Sequence, residues 1–98
     1  MYENGTGIPQ DYAKAVRWYK KSAEQGLLEA QYNLGWMFEN GYGVKQDFTQ
    51  AFNWYLKAAK QGDAMAEYVT GKMYRYGKDV EQNNTKADFW LNKAFDSK

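Results

Sequence analysis

Apolar side chains between residues 29 and 62 follow the spacing of two successive helices. In the first segment the apolar positions are Ala30, Leu34, Met37 and Phe38. They recur at i, i+4, i+7 and i+8, which is one face of a helix from about residue 29 to residue 40. In the second segment the apolar positions are Phe48, Ala51, Phe52, Tyr55 and Ala59. The pattern predicts two amphipathic helices, separated by a Gly-x-Gly loop at residues 41–43 and followed by a turn at Gly62.

The helix starts are predicted from side chains that can accept hydrogen bonds from free backbone N–H groups. Asp47 is a suitable N-cap for the second helix, and Asp11 and Asn83 lie 36 residues before and after it. Helices are therefore expected to start after Asp11 and after Asn83, and to run to about residue 25 and residue 95. Pro9 then lies in the loop before the first of them, where its missing N–H breaks no helical hydrogen bond.

The helix pair is repeated with a period of 36 residues. When residues 1–36 are aligned with residues 37–72 without a gap, 17 of the 36 positions are identical. A third, weaker copy follows, in which a helix is expected to begin at Asp63 or Ala64 and to end at Gly77. All nine glycines fall on only four positions of the repeat, so they mark turns and close contacts. A fixed period of this length is typical of a solenoid, in which each unit buries its apolar face against its neighbours.

The period predicts an all-α solenoid of antiparallel helix pairs, forming a single repeat domain over residues 1–98. Its units are residues 1–26, 27–62 and 63–98. The first unit is partial, because residues 1–4 match only the last turn of a helix, so the chain holds about two and a half repeats. We expect the chain to be a fragment of a longer array, or to self-associate through the truncated N-terminal repeat.

The last unit is polar where the middle unit is apolar. Asp88 and Asn92 take the positions that Phe52 and Leu56 hold one period earlier. We expect Asp88 and Asn92 to face solvent at a C-terminal cap of the solenoid. Asp79 replaces the second loop glycine of the repeat. The loop of this copy can still form its turn, because Asp tolerates a left-handed backbone better than most residues.

Charge and hydropathy exclude several classes of partner. The net charge is +1, from 13 basic and 12 acidic side chains that are interspersed along the chain. This balance lacks the strong basic bias of a nucleic-acid-binding domain. The densest basic cluster is Lys14, Arg17, Lys20 and Lys21, and we interpret it as a solvated helix face. We expect no membrane insertion, since no apolar run approaches the roughly 20 residues that span a bilayer. No signal peptide is visible in residues 1–12, so the compartment is open between cytoplasmic and exported.

The chain has few residues that could carry out catalysis. It contains no cysteine and no histidine, which removes disulfides, thiolate metal sites and the commonest general base. Ser22 aligns with Ala58 and Ala94, which indicates a small-residue packing position rather than a nucleophile. Gly41-x-Gly43 lacks the preceding strand and the lysine of a phosphate-binding loop. We therefore predict that the protein is not an enzyme and has no catalytic residue, metal site or cofactor.

The middle unit resembles the Sel-one-like repeat, a relative of the tetratricopeptide repeat with a Gly-x-Gly loop between its helices. The matching positions are Ala30, Tyr32, Leu34, Gly35, Phe38, Gly41, Gly43, Val44, Asp47, Ala51, Trp54, Tyr55, Lys57, Ala58, Ala59 and Gly62. The last unit departs from the family pattern at Thr70, Asp79, Leu91 and Phe95. A plain tetratricopeptide repeat is the poorer match, because its period is 34 residues and it lacks this loop. The resemblance implies a right-handed α-solenoid that serves as an adaptor for protein–protein contact.

Positions that repeat are explained by packing, whereas positions that vary are candidates for recognition. Trp18, Trp54 and Trp90 recur at one repeat position and are predicted to lie in the core. The first helix of each pair is expected to line the concave surface of the solenoid, where partners dock. The candidate partner-binding residues on these helices are Tyr32, Trp36, Glu39, Tyr68, Lys72, Arg75 and Tyr76. The expected partner is another protein or peptide; the alternative is a carbohydrate- or peptidoglycan-binding module that uses surface aromatics.

Overall fold

The structure, a computed structural model, describes residues 9–77 and 81–96 and contains five α-helices in these ranges. The helices are α1 (Pro9–Glu24), α2 (Leu28–Asn40), α3 (Phe48–Lys60), α4 (Ala64–Tyr76) and α5 (Asn84–Asp96). Each helix packs against the next one along the chain. The predicted all-α helical repeat solenoid is therefore confirmed, and α2 with α3 and α4 with α5 form two successive helix pairs.

The predicted boundaries of the last four helices are confirmed by their caps. Gly41 and Gly77 adopt left-handed φ angles of 73° and 66° directly after α2 and α4. At the N-termini, Asp47 accepts a hydrogen bond from the Gln50 N–H at 3.1 Å, and Asp63 accepts one from the Ala66 N–H at 2.9 Å. Asn83 Oδ1 accepts the Lys86 N–H at 3.0 Å in the same way. Side-chain oxygens thus satisfy N–H groups that the first turn leaves without a partner.

The predicted start of α1 is wrong. The chain is already helical at Pro9, the first described residue, so Asp11 lies inside α1 and not at its N-cap, and Pro9 does not lie in a loop. The alignment of Asp11 with Asp47 therefore does not carry the N-cap of α3 over to α1.

Substituting the N-cap of α3 tests the contribution of these caps to stability. We expect Asp47→Ala to lower the free energy of unfolding by about 1 kcal/mol, because the Gln50 N–H loses its acceptor. Asp47→Asn keeps an acceptor oxygen and should cost only a few tenths of that amount. Urea denaturation followed by circular dichroism measures both variants. Equal losses for the two substitutions would show that the hydrogen bond contributes little.

The core is a continuous stack of three apolar clusters along the solenoid. The first lies between α1 and α2 and contains Val16, Ala23, Ala30, Leu34 and Met37. The second joins α3 to α4 through Ala51, Phe52, Tyr55 and Met73. The third joins α3, α4 and α5 through Ala58, Ala59, Ala66 and Trp90. Each helix pair thus buries its apolar face against its neighbour, as a solenoid requires.

The three equivalent tryptophans differ in burial, so the prediction that all of them lie in the core is wrong. Trp90 is only 9% exposed, Trp54 is partly buried, and Trp18 is 61% exposed. This repeat position faces the helices that precede it: Trp54 packs against the α1–α2 cluster, and Trp90 packs against α3 and α4. Trp18 lies on α1, and no earlier helix is among the described residues.

Two further surface predictions are confirmed. Asp88 and Asn92 are exposed on α5, and the four basic residues of α1 are exposed along one helix. No helix within the described ranges combines the length and the hydropathy that crossing a membrane requires. Residues 1–4, on which the expected truncated repeat and its self-association rest, lie outside the described residues, as does Asp79.

Candidate functional site

A groove of about 370 Å³ opens between α2 and α4, the first helices of the two successive pairs. Helix α3 packs against both of them and closes the groove from behind. From α2 the lining residues are Tyr32, Trp36 and Glu39; from α3, Phe48 and Tyr55; and from α4, Val69, Lys72, Met73 and Tyr76. The groove therefore combines an aromatic and aliphatic surface with one acidic and one basic side chain.

The floor of the groove is organised around Tyr55. Its side chain is buried, and its hydroxyl donates a hydrogen bond to Glu39 Oε1 at 2.7 Å. The ring lies against Gly35 of α2, where an added Cβ would be 3.0 Å from a ring carbon of Tyr55. Glycine at this position lets the ring approach the α2 backbone, which brings the hydroxyl within reach of Glu39. The Tyr32 ring packs beside it, with a centroid separation of 5.2 Å.

The surroundings of the floor disfavour ionisation of both tyrosines. Burial raises the pKa of Tyr55 far above its usual range, and the hydrogen bond to the Glu39 carboxylate and its charge raise it further. Burial also raises the pKa of Tyr32, with smaller contributions from the charges of Asp63 and Glu39. Since an ionised phenol is disfavoured at both sites, the phenol hydroxyls remain hydrogen-bond donors. The Glu39 carboxylate then provides the negative charge of the floor.

The mouth of the groove is framed by exposed aromatic rings. Trp36 is 41% exposed and Tyr76 is 71% exposed, on opposite walls. Trp36 packs against Tyr42 of the Gly-x-Gly loop at a centroid distance of 5.0 Å, and Tyr42 stacks on Tyr12 of α1 at 5.0 Å. These ring contacts hold Trp36 in place while leaving part of its surface open to solvent.

Two of the seven predicted recognition residues lie outside the groove lining. Arg75 forms a salt bridge with Asp88, which ties α4 to α5. Tyr68 packs near Phe95 of α5, and the Lys72 ammonium lies 5.2 Å from the centre of the Tyr68 ring, a cation–π distance. The structure brings the other five predicted residues together in the groove: Tyr32, Trp36, Glu39, Lys72 and Tyr76.

The sequence pattern does not single out the groove residues contributed by α3 or the apolar groove residues contributed by α4. These residues are Phe48, Tyr55, Val69 and Met73. A signal for Tyr55 is nevertheless present in the repeat alignment. The pair Glu39 and Tyr55 in the middle unit becomes Arg75 and Leu91 in the last unit, so both members change together. Their joint replacement is what a direct contact between the two positions would produce.

A second depression, of about 610 Å³, runs along the basic face of α1. It is lined by Lys14, Arg17, Trp18, Lys20, Lys21 and Glu24, all of which belong to that one helix. Among the described residues, no second helix lies opposite this face of α1. The surface is therefore less enclosed than the α2/α4 groove.

Comparison with known proteins gives consistent matches along the chain. The model of the Sel1 repeat family matches residues 1–27, 28–63 and 64–98. A curated relative is the sel1-like repeat-containing protein L21 of Acanthamoeba polyphaga mimivirus. It is 56% identical over 36 residues, which are 37% of this chain and 7% of the relative.

Two solved structures share the fold. The Sel1 repeat protein from Oxalobacter formigenes aligns with a TM-score of 0.85 and 37% identity, over 88% of this chain and 35% of that one. The protective antigen c5321 of uropathogenic Escherichia coli strains, which displays an SLR fold, aligns with a TM-score of 0.86 and 44% identity, over 94% of this chain and 20% of that one. The chain thus spans about a third or less of the length of these relatives.

Proposed function

Because the chain belongs to the Sel1 repeat family, a non-catalytic scaffold family whose repeats mediate protein–protein interaction, we propose that it is an adaptor that binds a partner in the α2/α4 groove. The partner is a segment of another protein or a peptide. The observation that carries this proposal is the pair of exposed aromatic residues, Trp36 and Tyr76, on opposite walls of one groove. Residues 1–98 act together as one repeat domain with units 1–26, 27–62 and 63–98.

The size of the groove favours a peptide segment over the face of a folded domain. A volume of about 370 Å³ is in the lower part of the range of ligand clefts, and it suits one or two side chains of an extended chain. The groove lies between helices that already pack on α3. The protein therefore loses little conformational entropy when a ligand binds. Neither the matched family nor the named relatives point to a carbohydrate, and the proposed partner is therefore a protein.

Trp36 is the residue expected to contribute most to binding. Tryptophan is over-represented among interface residues whose truncation costs much affinity, because it buries a large area with few rotatable bonds. Packing against Tyr42 restricts the ring before any partner arrives, which lowers the entropy cost of binding. Its exposed fraction is large enough for a partner to cover.

Selection from a random peptide library tests this proposal, because it requires no identified natural partner. A phage-displayed library of random twelve-residue peptides is selected on the immobilised 98-residue chain, and the enriched peptides are titrated by calorimetry. We expect Trp36→Ala to weaken their binding by about tenfold or more. Trp18→Ala is the matched control, because Trp18 is also an exposed tryptophan but lies on α1, away from the groove.

The two variants distinguish the α2/α4 groove from α1 as the binding surface. Unchanged affinity for Trp18→Ala together with a loss for Trp36→Ala supports the groove as the binding surface. A loss for Trp18→Ala with full affinity for Trp36→Ala would place binding on α1 and overturn the proposal, as would a failure to enrich any peptide. Circular dichroism melts of both variants confirm that each keeps its fold before affinities are compared.

A further inference from the structure

We infer that the α2/α4 groove recognises a basic side chain, arginine or lysine, on its partner segment. This inference rests on the proposed function and adds the chemistry of the ligand. Its basis is the combination of five aromatic residues with one carboxylate in the same lining. The aromatic residues are Tyr32, Trp36, Phe48, Tyr55 and Tyr76, and the carboxylate is that of Glu39. Aromatic rings attract cations through the negative potential of their faces. A carboxylate can in addition accept charge-assisted hydrogen bonds from a guanidinium or ammonium group.

Glu39 is held in position to accept such a cation. The Tyr55 hydroxyl donates to its Oε1 atom at 2.7 Å, which fixes the carboxylate at the floor of the groove. An ionised carboxylate offers about four lone-pair sites over its two oxygens, so a single hydrogen bond leaves acceptor capacity. The side chain is partly buried, and a guanidinium or ammonium group would therefore meet it in a partly desolvated setting, where the attraction is stronger than in water.

Two carboxylates lie close enough to Tyr32 on the α2 wall to act on it electrostatically. The charges of Asp63 and Glu39 both raise the pKa of Tyr32, a residue of the groove lining, in addition to the effect of burial. A cation entering beside Tyr32 would be favoured by the same two charges that disfavour a phenolate there.

Lys72 provides the basic side chain of the groove lining. It lies on the opposite wall, and its ammonium is placed over the Tyr68 ring at 5.2 Å from the centroid. Tyr68 is not part of the groove lining, so this contact draws the lysine charge toward the rim on the α4 side. The groove thus has its acidic side chain on α2 and its basic side chain at one edge of α4. A basic side chain of the partner would bind on the α2 side, where the charges are complementary.

The test uses the peptides obtained by selection on the 98-residue chain. We expect each enriched peptide to contain an arginine or a lysine. We expect a neutral replacement to weaken binding by about tenfold, whether isosteric citrulline for arginine or norleucine, which lacks the ammonium group, for lysine. Calorimetric titration of the paired peptides against the wild-type chain measures this ratio directly.

The protein side of the test is Glu39→Gln, which keeps an oxygen that can accept from Tyr55. We expect this variant to bind the arginine peptide about tenfold more weakly and to lose most of its preference over the citrulline peptide. Glu29→Gln is the matched control, because Glu29 is an exposed glutamate of the same helix outside the groove lining, and it should bind like the wild type. If Glu39→Gln fails to fold, the inference is tested by the ratio of the affinities of the arginine and citrulline peptides for the wild-type chain.

Failure of this inference can be told apart from failure of the proposed function. Equal affinity for arginine and citrulline peptides, with binding still lost in Trp36→Ala, would overturn the basic-side-chain inference and leave the groove as the binding surface. Affinity that does not depend on Trp36 would overturn the proposed function itself. An enriched peptide set dominated by acidic residues would also contradict the inference, because it would point to Lys72 as the main determinant.

Discussion

Replacing Gly43 by alanine is expected to lower the free energy of unfolding by about 2–5 kcal/mol. Gly43 lies in the loop between α2 and α3 with a φ angle of 76°, a left-handed conformation that disfavours any residue with a Cβ. An added Cβ would lie 2.5 Å from the carbonyl oxygen of Tyr12 and 2.9 Å from the amide nitrogen of Ala13. Both are backbone atoms of α1, so they cannot rotate away, and the loop would have to move off the helix.

Gly26→Ala is the matched control for this experiment. Gly26 also has a positive φ angle, 91°, but a Cβ built there meets no atom within 4 Å. Its substitution should therefore cost only the conformational strain, about 1–2 kcal/mol. Chemical denaturation of the two variants and the wild type measures the difference. Equal losses would contradict the close contact between the loop and α1, because the strain term would then account for the whole effect of Gly43→Ala.

Trp90→Ala is expected to lower the free energy of unfolding by about 3–5 kcal/mol. The indole is 9% exposed and packs with Ala58, Ala59 and Ala66, so it joins α5 to the preceding helices. Its removal would leave a cavity in the cluster that holds the last helix pair to the solenoid. Thermal and chemical denaturation followed by circular dichroism measure the loss.

Trp18→Ala provides the contrast, since Trp18 occupies the equivalent position of the repeat but is mostly exposed. We expect its substitution to change stability by no more than about 0.5 kcal/mol. A loss comparable to that of Trp90→Ala would mean that Trp18 is covered by protein in solution. Comparable small losses at both positions would contradict the burial of Trp90.

Helices α2 to α5 could be predicted from the sequence because their periodicity and their caps agree. In each case an apolar stripe with helical spacing is bounded by an Asp or Asn cap or by a glycine. The start of α1 could not be settled in this way, because Pro9 and Asp11 give competing signals two residues apart. The repeat alignment favours Asp11 as the cap, whereas the fixed φ angle of proline is compatible with a helix at Pro9, and the structure is helical at both residues.

The repeat alignment predicts local structure better than it predicts burial. Trp18 and Trp90 share a repeat position and a helical backbone, yet one is exposed and the other buried. Burial at this position depends on the preceding helices, and those differ between the two ends of the described residues. Identity between copies therefore predicts turns and caps, but it does not predict the accessibility of side chains whose neighbouring helices differ.

The part of the candidate site that lies on a single helix face could be predicted from the spacing of its residues. Tyr32, Trp36 and Glu39 share a face of α2, and all three line the groove. Arg75 shares the equivalent face of α4, but its salt bridge to Asp88 depends on how α5 packs, which the spacing along α4 does not reveal. The helical spacing places Tyr55 on the apolar face of α3, and its second role as the hydrogen-bond partner of Glu39 is visible only in three dimensions.

A titration followed by the indole N–H signals of the tryptophans tests most directly whether the α2/α4 groove binds a partner. The chain has four tryptophans, one on each of α1, α2, α3 and α5, so the spectrum reports on separate parts of the solenoid. We predict that a selected peptide shifts or broadens the Trp36 signal in proportion to its occupancy, while the Trp18 signal stays unchanged. A peptide that binds with an unchanged Trp36 signal and a shifted Trp18 signal would contradict the groove as the binding surface.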